Sequence, residues 1–185
     1  MAGTTLKQRT CATADLGPVQ LAGVRALLVD AFAGDPDGDF DDHDWDHALG
    51  GHHVLVWDDG YVVGHAAVVR RHLVHGSRTL RCGYVEAVVV RADRRRRGIG
   101  ERLMAEVERL LGGYDLGALG ATDEGRLLYE RRGWRSWRGR LSALTPDGVV
   151  ATPDDQGSVM VRPGPGAELD LDGELTCDWR SGDLW

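Results

Sequence analysis

The stretch VEAVVVRADRRRRGIG, Val85 to Gly100, decides the fold. It opens as a valine-rich apolar run, the composition of a buried strand. It closes on four consecutive arginines, Arg94 to Arg97, and on two glycines one residue apart, Gly98 and Gly100. Helical spacing then takes over. Ile99, Leu103, Met104, Val107, Leu110 and Leu111 form one apolar stripe, with Glu101, Glu106, Glu108 and Arg109 elsewhere. A helix start carries N–H groups without intrahelical partners and the positive end of the dipole, so phosphate binds there. Glycine lets backbone approach closely, and arginines add charge-assisted bonds of about 1.5–3 kcal/mol each. On local chemistry alone, a diphosphate site and a solvated charge run fit equally well. Two phosphate motifs are excluded. A P-loop needs Lys-Ser/Thr after its last glycine, and the dinucleotide fingerprint needs a third glycine where Leu103 stands.

Toward the N-terminus, Thr79–Val90, Tyr61–Arg70 and His53–Trp57 read as three antiparallel strands, the last two joined at Asp58-Asp59-Gly60. A helix is predicted over Ala14–Phe32, capped by Asp15 with Pro18 in its first turn, and a short one at WDHALGG, stopped by Gly50 and Gly51. Toward the C-terminus, Tyr114–Gly120 reads as a strand. A helix capped by Thr122 follows and ends at Gly133. Trp134–Leu144 and Gly157–Val161 are further strand candidates, and Arg162–Gly166 breaks the chain before a tail ending at Trp185. Strand–helix–strand implies a parallel pair with a right-handed crossover. The expected class is mixed α/β, as a single domain over 1–185.

The 185 residues are 42% hydrophobic, which suits one packed core. The net charge of −7 argues against nucleic acid as partner and favours cations. All basic residues but Lys7 are arginine, a codon bias rather than a functional mark. Cys11, Cys82 and Cys177 form no CxxC pair, so neither a disulfide framework nor a thiolate metal site is expected, and a reducing compartment fits. MAGTTLKQRT lacks a signal-peptide core and no apolar run approaches the ~18–20 residues of a membrane span, so a cytoplasmic protein without membrane partners is expected. His43 and His47, at i and i+4 in HDWDH, match half of a zinc helix. Asp stands where Glu would be expected and no third ligand is identifiable, so no metal is expected. His52, His53, His65, His72 and His75 read as structural or surface residues.

Arg95-x-x-Gly98-x-Gly100 between strand and helix resembles the pyrophosphate turn of the GCN5-related N-acetyltransferases (GNAT). Leu128-Tyr129-Glu130-Arg131-Arg132-Gly133-Trp134 is similar to their second signature. Further, AFAGD (Ala31 to Asp35), HDWDHALGG, LRCGYVE (Leu80 to Glu86), TPDD (Thr152 to Asp155) and CDWRSGDLW (Cys177 to Trp185) resemble the aminoglycoside 2′-N-acetyltransferases over nearly the whole chain. The resemblance implies a GNAT fold, acetyl-coenzyme A as co-substrate and a polycationic aminoglycoside as acceptor. A homodimer is typical of similar proteins.

The implied roles follow residue by residue. Backbone of Val88, Val89 and Val90 pairs with the pantetheine arm, the Val88 N–H polarising the thioester carbonyl. Arg95, Arg96, Arg97, Gly98, Ile99 and Gly100 cradle the diphosphate. Tyr129 protonates the leaving thiolate; the bland alternative is a ring packed in a helix face. Glu86 is the odd residue in YVEAVVV and costly to bury unpaired, which suits a base acting directly or through water; an arginine ion pair is the alternative. Asp35, Asp44, Glu86, Ala87, Gly120, Asp155 and Trp185 face the acceptor, Trp185 with its indole and α-carboxylate, so that 162–185 completes the acceptor site. Relatives tend to place serine where Gly120 and Ala121 stand, which implies that a hydroxyl hydrogen bond is missing here.

Overall fold

The computed structural model describes residues 6–34 and 38–185. These fall into two compact units: residues up to Val69 with Glu86–Arg109, and Arg70–Val85 with Leu110–Trp185.

In the first unit, β1 (Lys7–Ala12) pairs antiparallel with β2 (His52–Asp58), and β2 with the leading part of β3 (Tyr61–His75). The β2–β3 connection is the expected Asp59-Gly60 turn, with both residues at positive φ. β4 (Arg78–Val90) pairs with β3, and its last five residues belong to this unit. Two helices precede β2. The first, α1 (Pro18–Ala31), begins later than expected, and Asp15 does not cap it. Asp15 lies in a separate 3₁₀ turn, and the Gln20 side chain receives the Gly17 N–H instead. In α2 (Asp42–Ala48), Asp41 accepts from His43 and Asp44 N–H, and the Asp44 carboxylate accepts the Asp41 N–H in return. The α1 residues Val24, Leu27 and Leu28 pack with Cys11, Leu55 and Val89 into one core. At roughly 1.5–3 kcal/mol per buried apolar side chain, that core fixes α1 against β2 and β4.

α3 (Ile99–Leu111) follows the arginine–glycine turn. Its close approach to β3 is made possible by Gly64. A Cβ there would stand 2.7 Å from Ile99 Cγ2 and 3.3 Å from Leu103 Cδ1. The bare backbone thus lets the leading turn of α3 lie directly on the strand.

In the second unit the strand order is β6-β9-β5-β4-β3-β10-β7-β8. β5 (Leu116–Gly120) is parallel to β4, the pairing ending at Tyr84–Ala118, and α4 (Asp123–Arg131) is capped by Thr122 as expected. β9 (Val159–Pro163) lies two residues later than predicted, because Ser158 N–H and Oγ both bond back to Asp155 in a turn. The strand predicted over Trp134–Leu144 is interrupted. β6 (Arg135–Ser136) and β7 (Leu141–Thr145) are separated because Arg138 and Gly139 donate their N–H groups to Leu171. Gly139 lies so close to Gly173 that a Cβ would fall 1.8 Å from its carbonyl oxygen. β8 (Gly148–Ala151) forms a hairpin with β7. The expected tail contains a strand, β10 (Leu175–Asp178), parallel to β7 and antiparallel to β3.

Candidate active site

In the first unit the arginine–glycine turn divides by role. Arg94 is structural. Its guanidinium binds the buried Asp58 at 2.6 Å and Asp93 at 2.7 Å. Arg95 donates from Nε to Val90 O at 3.3 Å, which ties the turn to the end of β4. Arg95, Arg96, Arg97 and Gly98 are exposed. Arg96 (φ 59°) and Gly98 (φ 76°) are both left-handed, so the backbone curls there. Left-handed residues alternating with ordinary ones turn successive N–H groups toward one concavity suited to an anion. The space beside Gly98 is open. The α3 ladder starts with Arg102 N–H to Gly98 O, so the amides of Ile99 and Gly100 precede it. Ile99 itself is buried and anchors the turn.

β4 carries the other expected donor-side residues. Val89 points into the core, while Glu86, Ala87, Val88 and Val90 are half-buried. Ala87 has φ 50°, unusual for a residue with a Cβ inside a strand, and costing on the order of 1 kcal/mol or more. Its carbonyl accepts from His65 Nδ1 at 2.8 Å. His65 Nε2 lies 2.9 Å from His53 Nδ1, and His53 Nε2 lies 2.8 Å from Thr13 Oγ1. Burial drives both imidazoles down, His65 to about 3 against the opposing Ala87 hydrogen bond and His53 to about 4, so both are neutral at physiological pH. The sequence marks these histidines only as structural or surface residues; adjacency on paired strands is the signal that joins them. Of the acidic stretch, Asp44 is half-buried in its capping role, and Asp35 lies outside the described residues. Among the described residues, no group of three or more His, Cys, Asp or Glu is arranged to hold a metal ion.

In the second unit, Tyr129 projects from α4 with its ring 6.2 Å from that of Trp134. Burial raises its phenol to about 12, so it is a protonated donor throughout the physiological range. Gly125 makes room for it, since a Cβ there would meet Tyr129 Cε2 at 3.0 Å. The expected acceptor residues Asp155 and Trp185 come together through Thr152. The indole N–H donates to Thr152 Oγ1 at 2.9 Å, and Thr152 bonds the Asp155 side chain. Burial raises Asp155, helped by Asp183 and Asp154, while the Thr152 bond and Arg180 oppose it. The Trp185 backbone O accepts from Arg180, and the indole is buried. Arg71, Arg180 and Tyr84, none of them singled out in the sequence, brace this segment. Arg71 bonds Asp178 and Leu184 O, and both guanidiniums stack on the Tyr84 ring. Gly120 is exposed, and a Cβ there would lie 3.9 Å from Tyr84 Oη.

A strand running into a left-handed arginine–glycine turn and an amphipathic helix suits the binding of a diphosphate-bearing group. The model of the acetyltransferase (GNAT) family matches residues 21–134, and the chain belongs to that family. It is 47% identical to the aminoglycoside 2′-N-acetyltransferase of Mycolicibacterium fortuitum, over 94% of this chain and 89% of that protein. The fold is similar to that of the GNAT family N-acetyltransferase YhbS from Escherichia coli in complex with CoA. There the TM-score is 0.63 and the identity 17%, with 95% of this chain and 91% of that one covered. An acyl-CoA N-acyltransferase from Pseudomonas aeruginosa has TM-score 0.59 at 17% identity, covering 85% of this chain and 99% of its own.

Proposed function

We propose that the protein transfers the acetyl group of acetyl-CoA to the 2′-amino group of aminoglycosides, by direct attack within a ternary complex. The observation that carries this reading is the 47% identity to an enzyme of that name over 94% of the chain. The Arg96–Gly98 curl ahead of α3 supports a diphosphate-bearing donor. The acceptor ammonium gives up a proton to Glu86, directly or through water, and the free amine attacks the thioester carbon, its nitrogen losing a second proton to water as the intermediate collapses. Negative charge develops on the carbonyl oxygen and is met by the Val88 N–H. The C–S bond then breaks. The leaving thiolate takes its proton from Tyr129, which regains one from solvent. With its phenol near 12, Tyr129 transfers the proton only as charge builds on sulfur, and stabilises that charge by a hydrogen bond before then. Neither Cys11 nor Cys177 supplies an acyl-enzyme route: both are buried, and burial holds their thiols above the usual range.

Asp35, Asp44, Asp155 and Trp185 are the acceptor residues of this reading, since a polycation with little apolar surface is bound by carboxylates and hydrogen bonds. The reading also takes the protein as a cytoplasmic homodimer. The exposed Val149 and Val150 of edge strand β8 support an interface between copies. Thiol release from acetyl-CoA with tobramycin or gentamicin tests the proposal. Release with those and none with aminoglycosides bearing a 2′-hydroxyl is expected. Release with simple polyamines alone would replace the acceptor, and no release would refute the activity.

A further inference from the structure

The hydrogen-bonded series Thr13–His53–His65–Ala87 has only one consistent direction. The Ala87 carbonyl can only accept, so His65 Nδ1 carries the proton. His65 is neutral, so its Nε2 is an acceptor and His53 Nδ1 must donate to it. His53 Nε2 is then the acceptor for the Thr13 hydroxyl at 2.8 Å, in preference to the Gly51 carbonyl at 3.3 Å, while a Thr13 lone pair receives the Gly50 N–H at 3.0 Å. Both rings are fully buried by exposed area. Every ring nitrogen is thereby engaged, and the series ends on a single oxygen.

That oxygen belongs to the one peptide of β4 that follows a left-handed alanine. Such a residue breaks the regular ladder, and the displaced carbonyl needs another donor. His65, on the neighbouring strand β3, provides it. The peptide Ala87–Val88 is trans, so its N–H points opposite to its C=O. A donor clamped on the Ala87 oxygen therefore directs the Val88 N–H away from the His65 ring. It also strengthens that N–H as a donor, because hydrogen bonds in series polarise one another by roughly 10–30% each.

We propose that His65, held by His53 and Thr13, is a positioning residue for acetyl transfer: it fixes and polarises the Ala87–Val88 peptide so that the Val88 N–H is pre-set to receive charge on the thioester oxygen. The assignment rests on the role given to Val88 above.

The test combines spectra of the free protein with kinetics. In the wild type, histidine nitrogen-15 shifts should report the Nδ1–H tautomer at both His53 and His65. In His65→Leu the Ala87 carbonyl carbon-13 and Val88 amide proton resonances should move upfield. Turnover should fall by about tenfold to a hundredfold, less than the 10²–10³ of deleting an oxyanion donor outright, with KM for both substrates within about twofold. His65→Asn, whose amide nitrogen lies near the position of Nδ1, should recover part of the loss. His53→Phe should show a smaller decrease in the same direction. Wild-type turnover in folded His65→Leu overturns the proposal, as does an equal loss in His65→Asn and His65→Leu. If His65→Leu does not fold, an Nε2–H tautomer at either wild-type histidine overturns it, and the Nδ1–H pair with partial turnover in His65→Asn upholds it. A wild-type protein that releases no thiol with any aminoglycoside defeats the proposed function instead, and the tautomers still report on the series.

Discussion

Replacing Gly64 with alanine tests how closely the donor turn depends on bare backbone. The new Cβ would sit 2.7 Å from Ile99 Cγ2, roughly 1 Å inside the 3.5–4.0 Å of a relaxed carbon–carbon approach. Ile99 cannot swing clear. It is β-branched, stiff at χ1 in a helix, and only 1% exposed. The start of α3 must therefore shift. Overpacking of this kind costs about 1–3 kcal/mol, and removing a strand glycine returns about 0.4–1 kcal/mol through the unfolded chain. The net loss is about 0–2.6 kcal/mol, or up to about 10 °C in Tm for a chain of this size. Because Ile99 and Gly98 are adjacent, acetyl-CoA binding should weaken too, tenfold for each 1.4 kcal/mol by which the displaced turn binds the diphosphate less well. Thermal unfolding and calorimetric titration of acetyl-CoA measure both. Ile99→Ala removes the clashing Cγ2, so in that background Gly64→Ala should cost nothing or stabilise. Unchanged Tm and affinity in Gly64→Ala, or an equal cost in both backgrounds, would refute the reasoning.

Tyr129→Phe should lower kcat by about 10²–10⁴ while leaving acetyl-CoA affinity unchanged, and, with the phenol near 12, the wild-type pH–rate profile should show no tyrosinate limb below about pH 11; steady-state kinetics from pH 6 to 10 decide both. Glu106 is drawn down to about 2, first by the Arg109 hydrogen bond and also by Thr10, with burial opposing. Its contribution to stability is therefore complete above its ordinary value near 4.5 and lost as pH falls from there toward about 2. The wild-type advantage in urea midpoint over Glu106→Gln should shrink between pH 7 and pH 3; a constant difference would contradict it. Gly120→Ser has room, with its nearest neighbour at 3.9 Å, and should leave stability within about 0.5 kcal/mol. The restored hydroxyl should lower the acceptor KM without moving that of acetyl-CoA.

The strand–turn–helix of Val85–Gly100 was legible because its signals agree: valine-rich strand, glycine turn, then a helical stripe from Ile99 to Leu111. Elements built on few buried residues were not. β1 buries only Cys11, and β8 buries nothing, so neither has an apolar alternation to read. The break at Arg138–Gly139 was invisible because Leu171, which bonds both amides, is more than thirty residues away. Among site residues, those carried by local motifs, from Arg95 to Gly100 and Tyr129, fall on the expected elements. The Thr13–His53–His65 series escaped notice because strand pairing, not spacing, assembles it. Trp185 was expected to offer its indole and α-carboxylate to the acceptor; its indole is buried and donates to Thr152, and Arg180 donates to its backbone oxygen, contacts that no local motif announces.

β10 is the last strand in sequence but an inner one in space, lying between β3 and β7. During synthesis the β7–β8 hairpin has no neighbour on the β7 side until Leu175–Asp178 has left the ribosome. The second unit must therefore wait for its final strand before it closes, and its exposed edges are most at risk of wrong association in that interval.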